Sequence, residues 1–159
     1  MNNIKEYLSY NPETGLFTWL LNQCNNKIKA GDIAGCATKR GYIFITATKK
    51  QYLAHRLAWY FYYLKWPERG LDHINGIKND NRIANLRLAT HSENKQNVSY
   101  AQKNNKCNVR GIHFYQGRWR ADINIKGINT YLGRFNTPEE AHQAYLTAKR
   151  LHHPFWVES

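Results

Sequence analysis

Over residues 118–126 polar and apolar side chains alternate without a break, Arg118, Arg120, Asp122, Asn124 and Lys126 against Trp119, Ala121, Ile123 and Ile125. A period of two puts one set on each face of an extended chain, so the segment is a half-buried β-strand and not an amphipathic helix. Gln116-Gly117 turns into it from residues 111–115, and Gly127-Ile128-Asn129 turns out toward residues 131–135, which predicts a three-stranded antiparallel meander. Its apolar face needs a cover. Thr137 as N-cap, Pro138 in the first turn and Glu140 at the capping-box position start a helix, with Ala141, Ala144, Tyr145, Ala148 and Leu151 as its apolar stripe. The opposite sheet face, with Arg118, Arg120 and Lys126, is either an ordinary solvated face or a ribbon that enters a DNA major groove.

Charge bears on that choice. The 159 residues hold 23 Lys and Arg against 11 Asp and Glu, a formal +12, of which +7 lies in residues 1–100 and +5 in the rest. A polyanion engaging both halves is the natural partner. At 42% hydrophobic and 14% aromatic the chain forms cores and is no disordered basic tail. Neither a basic amphipathic helix nor a lipidation signal favours a membrane surface, so nucleic acid is expected and membrane is not. No run of 18 apolar residues occurs and residues 1–6 lack a signal-peptide core, which leads us to expect a cytoplasmic protein. Cys24, Cys36 and Cys107 are odd in number and lack CxxC spacing, so they read as thiols with no structural zinc.

The expected class is α+β. A small β region (1–53) contains the turn Asn11-Pro12-Glu13-Thr14-Gly15, a strand at 16–19 and a hairpin at 41–53. An aromatic helix at 55–65 stops at Trp66-Pro67. Two short strands flank an Asn-dense loop between residues 70 and 90, and Thr90 with Glu93 starts a helix at His91 that runs to about Tyr100. Residues 1–100 form one domain, with 70–100 as its strand-loop-strand-helix part; residues 101–108 are the linker and 109–156 the second domain.

Asp72, His73, Asn85 and Asn94 are a polar set that ordinary packing does not explain. A helix lying across two strands can return Asn94 to Asp72, and two hard oxygen ligands then hold one divalent cation completed by water and phosphate oxygens. His73, as a neutral imidazole, can take a proton from water, with Asn85 or a backbone carbonyl that it positions holding the other ring nitrogen. The bland alternative is a structural histidine among Asn-rich turns.

Asp72-His73-Ile74-Asn75-Gly76, Asp80-Asn81-Arg82, Asn85-Leu86-Arg87 and Glu93-Asn94 resemble the ββα-metal motif of HNH endonucleases of the bacteriophage homing type. Asn11 to Gly15, Gly41-Tyr42 and His55-Arg56-Leu57-Ala58-Trp59 resemble the segment preceding that motif. Arg110-Gly111-Ile112, residues 117–123, Leu132-Gly133-Arg134-Phe135 and Glu139-Glu140-Ala141 are similar to the APETALA2, or ethylene-response-factor, DNA-binding domain. The resemblance implies a homing-type endonuclease acting on double-stranded DNA in a phage-infected cell, with one divalent ion, Mg2+ or its substitute Mn2+, and no small-molecule cofactor. It makes His73 the general base, Asp72 and Asn94 the metal ligands and Asn85 the middle asparagine that orders the loop and helps orient the base. Asn94 stands where many members carry histidine.

In the second domain Arg110, Gly111, Trp119 and Tyr131 fall on positions that contact DNA or support the sheet in the plant domains it resembles, and Arg110, Arg118, Arg120 and Arg134 are expected to supply much of the affinity. His113, Asn124 and Asn129 replace arginines of the plant pattern, so its sequence preference does not transfer. Arg82 and Arg87 are candidate backbone contacts, and His55-Arg56 either binds phosphate or packs at the helix start. A monomer or weak dimer is expected. The rival reading is a non-catalytic DNA-binding regulator, and a third, RNA binding, requires aromatics that stack on single-stranded bases.

Overall fold

Short antiparallel strand pairs account for most of the regular structure. The computed structural model describes residues 4–24, 27–97, 105 and 107–157. The fold is α+β, and the chain divides into two compact units, Met1–Thr90 and His91–Ser159. The expected linker at 101–108 and the expected helix end at Tyr100 lie largely outside the described residues. No helix among the described residues is long and apolar enough to cross a membrane.

In the first unit β1 (Leu8–Tyr10) pairs with β2 (Phe17–Trp19). The turn between them is set by Asn11, whose Oδ1 accepts from the amides of Glu13 and Thr14 at 2.9 and 3.1 Å. A second sheet joins β3 (Cys36–Ala37), β4 (Ile43–Ala47) and β5 (Lys50–Leu53), and β5 runs straight into α1 (Ala54–Tyr63). Ala54, Leu57 and Ala58, spaced three and four apart, bury α1 against a core of Leu8, Phe17, Ile45 and Leu86. The helix ends two residues before its expected stop, because Leu64 takes a left-handed conformation and donates its N–H to Tyr60 O ahead of Pro67. After it come β6 (Gly70–His73) and β7 (Leu86–Ala89), an antiparallel pair.

The second unit holds α2 (His91–Gln96), the meander β8 (Ile112–Tyr115), β9 (Arg118–Ile125) and β10 (Ile128–Phe135), and α3 (Pro138–His152). Both hydrogen bonds of the α3 capping box form, Glu140 N to Thr137 Oγ1 and Thr137 N to Glu140 Oε2, each 3.3 Å. Three contacts hold the end of α2 within this unit: Arg110 Nη2 donates to Lys95 O, Phe155 N to Gln96 Oε1 and Val157 N to Asn97 Oδ1.

The buried stripe of α3 is Ala141, Tyr145 and Lys149, and Leu151, expected in it, is 76% exposed. Positions four apart stay on one helix face, whereas Leu151 lies two residues past Lys149 and turns outward. Lys149, only 2% exposed, keeps its ammonium 4.6 Å from the Trp156 ring centre and 5.7 Å from that of Tyr145. Burial, and next the Arg110 charge, push its pKa down to about 8. An unfolded lysine holds its proton to about pH 10.5, so between these values the unfolded chain binds more protons and stability rises with pH. Lys149→Met is expected to remove that rise, which amounts to about 3 kcal/mol across the window. Thermal melts of parent and variant at several pH values inside and below the window check this as a difference.

Candidate active site

The register of β6 and β7 sets Asp72 opposite Arg87 and His73 opposite Leu86. Arg87 donates through Nε and Nη2 to Asp72 Oδ2 at 2.9 and 2.7 Å, a charge-assisted pair that joins the two strands. His73, 4% exposed, meets the rings of His55 at 5.2 Å and Tyr42 at 6.0 Å, and its Nε2 lies 3.4 Å from Asn81 Oδ1. Burial lowers the His73 pKa, against smaller opposing effects of Asn81, Asp72 and Asp80, so the ring is neutral at pH 7.

The loop between the strands is held by its asparagines. Asn85 Oδ1 accepts from Asn75 N at 3.0 Å, its Nδ2 donates to Asp80 O at 2.8 Å, and its own carbonyl accepts from Ile74 N at 2.8 Å. Asn75 Nδ2 reaches Asp80 Oδ2 at 2.7 Å, and Arg82 forks onto both oxygens of Asp80. These bonds, that of Arg82 foremost, hold the Asp80 carboxyl down to about 2. A segment this polar would otherwise be too entropically costly to order.

His55 and Arg56 begin α1 side by side and point to different tasks. His55 is 6% exposed, its Nδ1 is buried with no hydrogen-bond partner among the described residues, and burial, then His73 and Arg56, push its pKa to about 3. Arg56 donates to Pro67 O and Arg69 O, fixing the turn that leads into β6. Asn94 lies on α2, within the second unit.

As for a metal, Asp72 offers a hard oxygen, the donor type that Mg2+ takes. Among the described residues no three His, Cys, Asp or Glu side chains gather, so an ion held at Asp72 would take most of its shell from water and phosphate oxygens. Such a shell fits Mg2+, which keeps several waters and binds through one or two protein ligands plus substrate phosphate.

On the meander, Arg120 forks onto Asp122 and lies 4.9 Å from the Tyr131 ring centre, while Arg134 donates to Gln116 Oε1 and lies 5.6 Å from that of Tyr115. Arg118 is exposed on the same face. Trp119 pairs with Phe114 and Phe135 on the apolar side, edge-on to Phe114 at 5.3 Å.

Residues 52–96 match the HNH endonuclease family model. That match supports a nuclease, and it contains β6, the loop, β7 and α2 but none of the meander. No solved structure matches the chain. Two residues at His73 were absent from the sequence-derived site, Tyr42 and Asn81. Asn81 is one of four asparagines between residues 75 and 85, and nothing in their order distinguishes the one that meets the imidazole.

Proposed function

We propose that this chain is a DNA endonuclease of the homing type, cutting phosphodiester bonds with His73 as general base, in the cytoplasm of a phage-infected cell. The observation that carries the reading is a buried, neutral imidazole beside Asp72, on a hairpin whose loop Asn85 locks, within the segment that matches the HNH family. A neutral imidazole accepts the proton of the attacking water as the new P–O bond forms. One divalent ion, Mg2+ or Mn2+, is assigned to Asp72 and Asn94; bound, it stabilises charge developing on the leaving oxygen. Asp72 is already ion-paired with Arg87, so an ion and Arg87 share or compete for that carboxylate.

The second unit is assigned to target binding as an APETALA2-like reader acting in a monomer or weak dimer. Arg110, Arg118, Arg120, Trp119, Tyr131 and Arg134 are its residues, with Arg82 and Arg87 as further backbone contacts. Support comes from an exposed sheet face on which two guanidiniums lie against tyrosine rings. Arg118→Ala with Arg120→Ala is expected to weaken DNA binding at least tenfold. It should also lower the slope of log affinity against log salt by up to about two. Gel-shift titrations across salt concentrations check both, and an unchanged affinity removes this face as the reader.

The nuclease is tested by incubating the purified chain with supercoiled plasmid and Mg2+, Mn2+ or chelator. Metal-dependent nicked or linear product supports the reading. Intact DNA, despite demonstrable binding, transfers the assignment to a non-catalytic regulator.

A further inference from the structure

We propose that Asn81 is a positioning residue for His73, selecting the tautomer that carries its proton on Nε2 and leaves Nδ1 as the basic nitrogen. The inference rests on the nuclease reading and names a residue which that reading leaves without a task.

An asparagine side chain has one accepting end and one donating end, and its surroundings decide which way it faces. Asn81 Nδ2 donates to Asn79 O at 3.2 Å, which turns Oδ1 toward His73 Nε2 at 3.4 Å. Reversed, the amide would set its oxygen against the carbonyl of Asn79, two acceptors in contact. An amide oxygen only accepts, so the ring nitrogen facing it carries the hydrogen. Asn81 is 3% exposed and His73 4%, so water competes poorly for either group, and a long hydrogen bond still decides between tautomers. The rings of His55 and Tyr42 pack on His73 and restrict its rotation.

Asn81 is itself braced by the first hairpin, outside the family match. Tyr10 Oη donates to Asn81 O at 2.8 Å, and Ile83 N donates to Pro12 O at 3.2 Å. At Gly15, with φ +73°, a Cβ would lie 2.5 Å from Arg82 N and 2.6 Å from the carbonyl carbon of Asn81. Only glycine lets the turn approach so closely. The Asn11–Gly15 turn therefore clamps the backbone that carries Asn81. Asn85 has a different part, since both ends of its amide bind loop backbone.

The experiment uses the full chain with 15N-labelled histidine, in which long-range 1H–15N correlation reads the tautomer of neutral His73 without DNA, metal or turnover. The parent is expected to show Nε2–H. Asn81→Ala should introduce a substantial Nδ1–H fraction and lower kcat ten- to a hundredfold at unchanged KM. Tyr10→Phe removes the brace and leaves Asn81 in place, so it serves if Asn81→Ala does not fold; a smaller Nδ1–H fraction and a several-fold loss of kcat are expected. Nδ1–H in the parent, or no change of tautomer in a folded Asn81→Ala, overturns the inference. If Asn81→Ala shifts the tautomer but the parent cuts no DNA, the nuclease reading fails and Asn81 remains the anchor of the ring. Cleavage by the parent with a tautomer indifferent to Asn81 defeats the inference alone.

Discussion

His73→Ala is expected to lower the single-turnover cleavage rate by roughly 10²- to 10⁴-fold, the range that a positioned general base contributes, with DNA affinity within a few-fold of the parent. The separation follows from where the side chain lies. His73 is buried among His55, Tyr42 and Asn81, whereas Arg118, Arg120 and Arg134, assigned to binding, lie on the meander. Truncating a buried ring also leaves a cavity, costing on the order of 2–4 kcal/mol, so the variant must be assayed below its melting temperature. His73→Gln, which fills more of the space and keeps a polar end, is expected to be as inactive and more stable. Rate measurements with saturating DNA, beside gel shifts, check the pair. If binding and cleavage fall together in a folded variant, His73 is structural; if cleavage persists, the base is another group.

The parts of this fold that were legible in the sequence depend on neighbours in the chain. The alternation of residues 118–126 became β9, and Thr137 with Glu140 became a capping box with both bonds made. The strands around the Asn-dense loop follow from the turn residues between them. What stayed hidden depends on partners distant in sequence. Asn81 and Asn85 are alike in type and four residues apart, yet one faces an imidazole and the other locks a loop, because Tyr10, Pro12 and Gly15 brace the backbone from seventy residues away. Arginines expected on DNA are held by Asp72, Asp80 and Asp122, pairings that only strand register and loop closure create. Lys149 lies inside because the helix face begun by Ala141 and Tyr145 continues through it, and its long stem and aromatic neighbours make that placement tolerable.

Gly111→Ala is expected to unfold the meander β8–β10. Gly111 has φ +83°, and a Cβ there would lie 2.1 to 2.4 Å from three ring atoms of Tyr145, overlapping a side chain that is itself buried under α3. Left-handed strain on a non-glycine residue costs about 1–3 kcal/mol, and forced overpacking typically adds another 1–3. Together they reach a large share of the 5–15 kcal/mol that holds a typical domain. The ring has no easy retreat, because it packs in the core formed by Ile112, Ala121, Ile123 and Ala141. Gly117→Ala supplies the control: its φ of +76° is nearly the same, but nothing lies within 4 Å of the added carbon, so only the conformational strain remains. Amide exchange followed by mass spectrometry should show protection lost across residues 112–152 in Gly111→Ala, kept in Gly117→Ala, and kept in β6 and β7 of both. Equal losses in the two variants would mean that backbone conformation, and not the close approach of Tyr145, is what requires glycine at position 111. Loss of DNA binding in Gly111→Ala, with β6 and β7 still protected, would further support the assignment of target affinity to the meander.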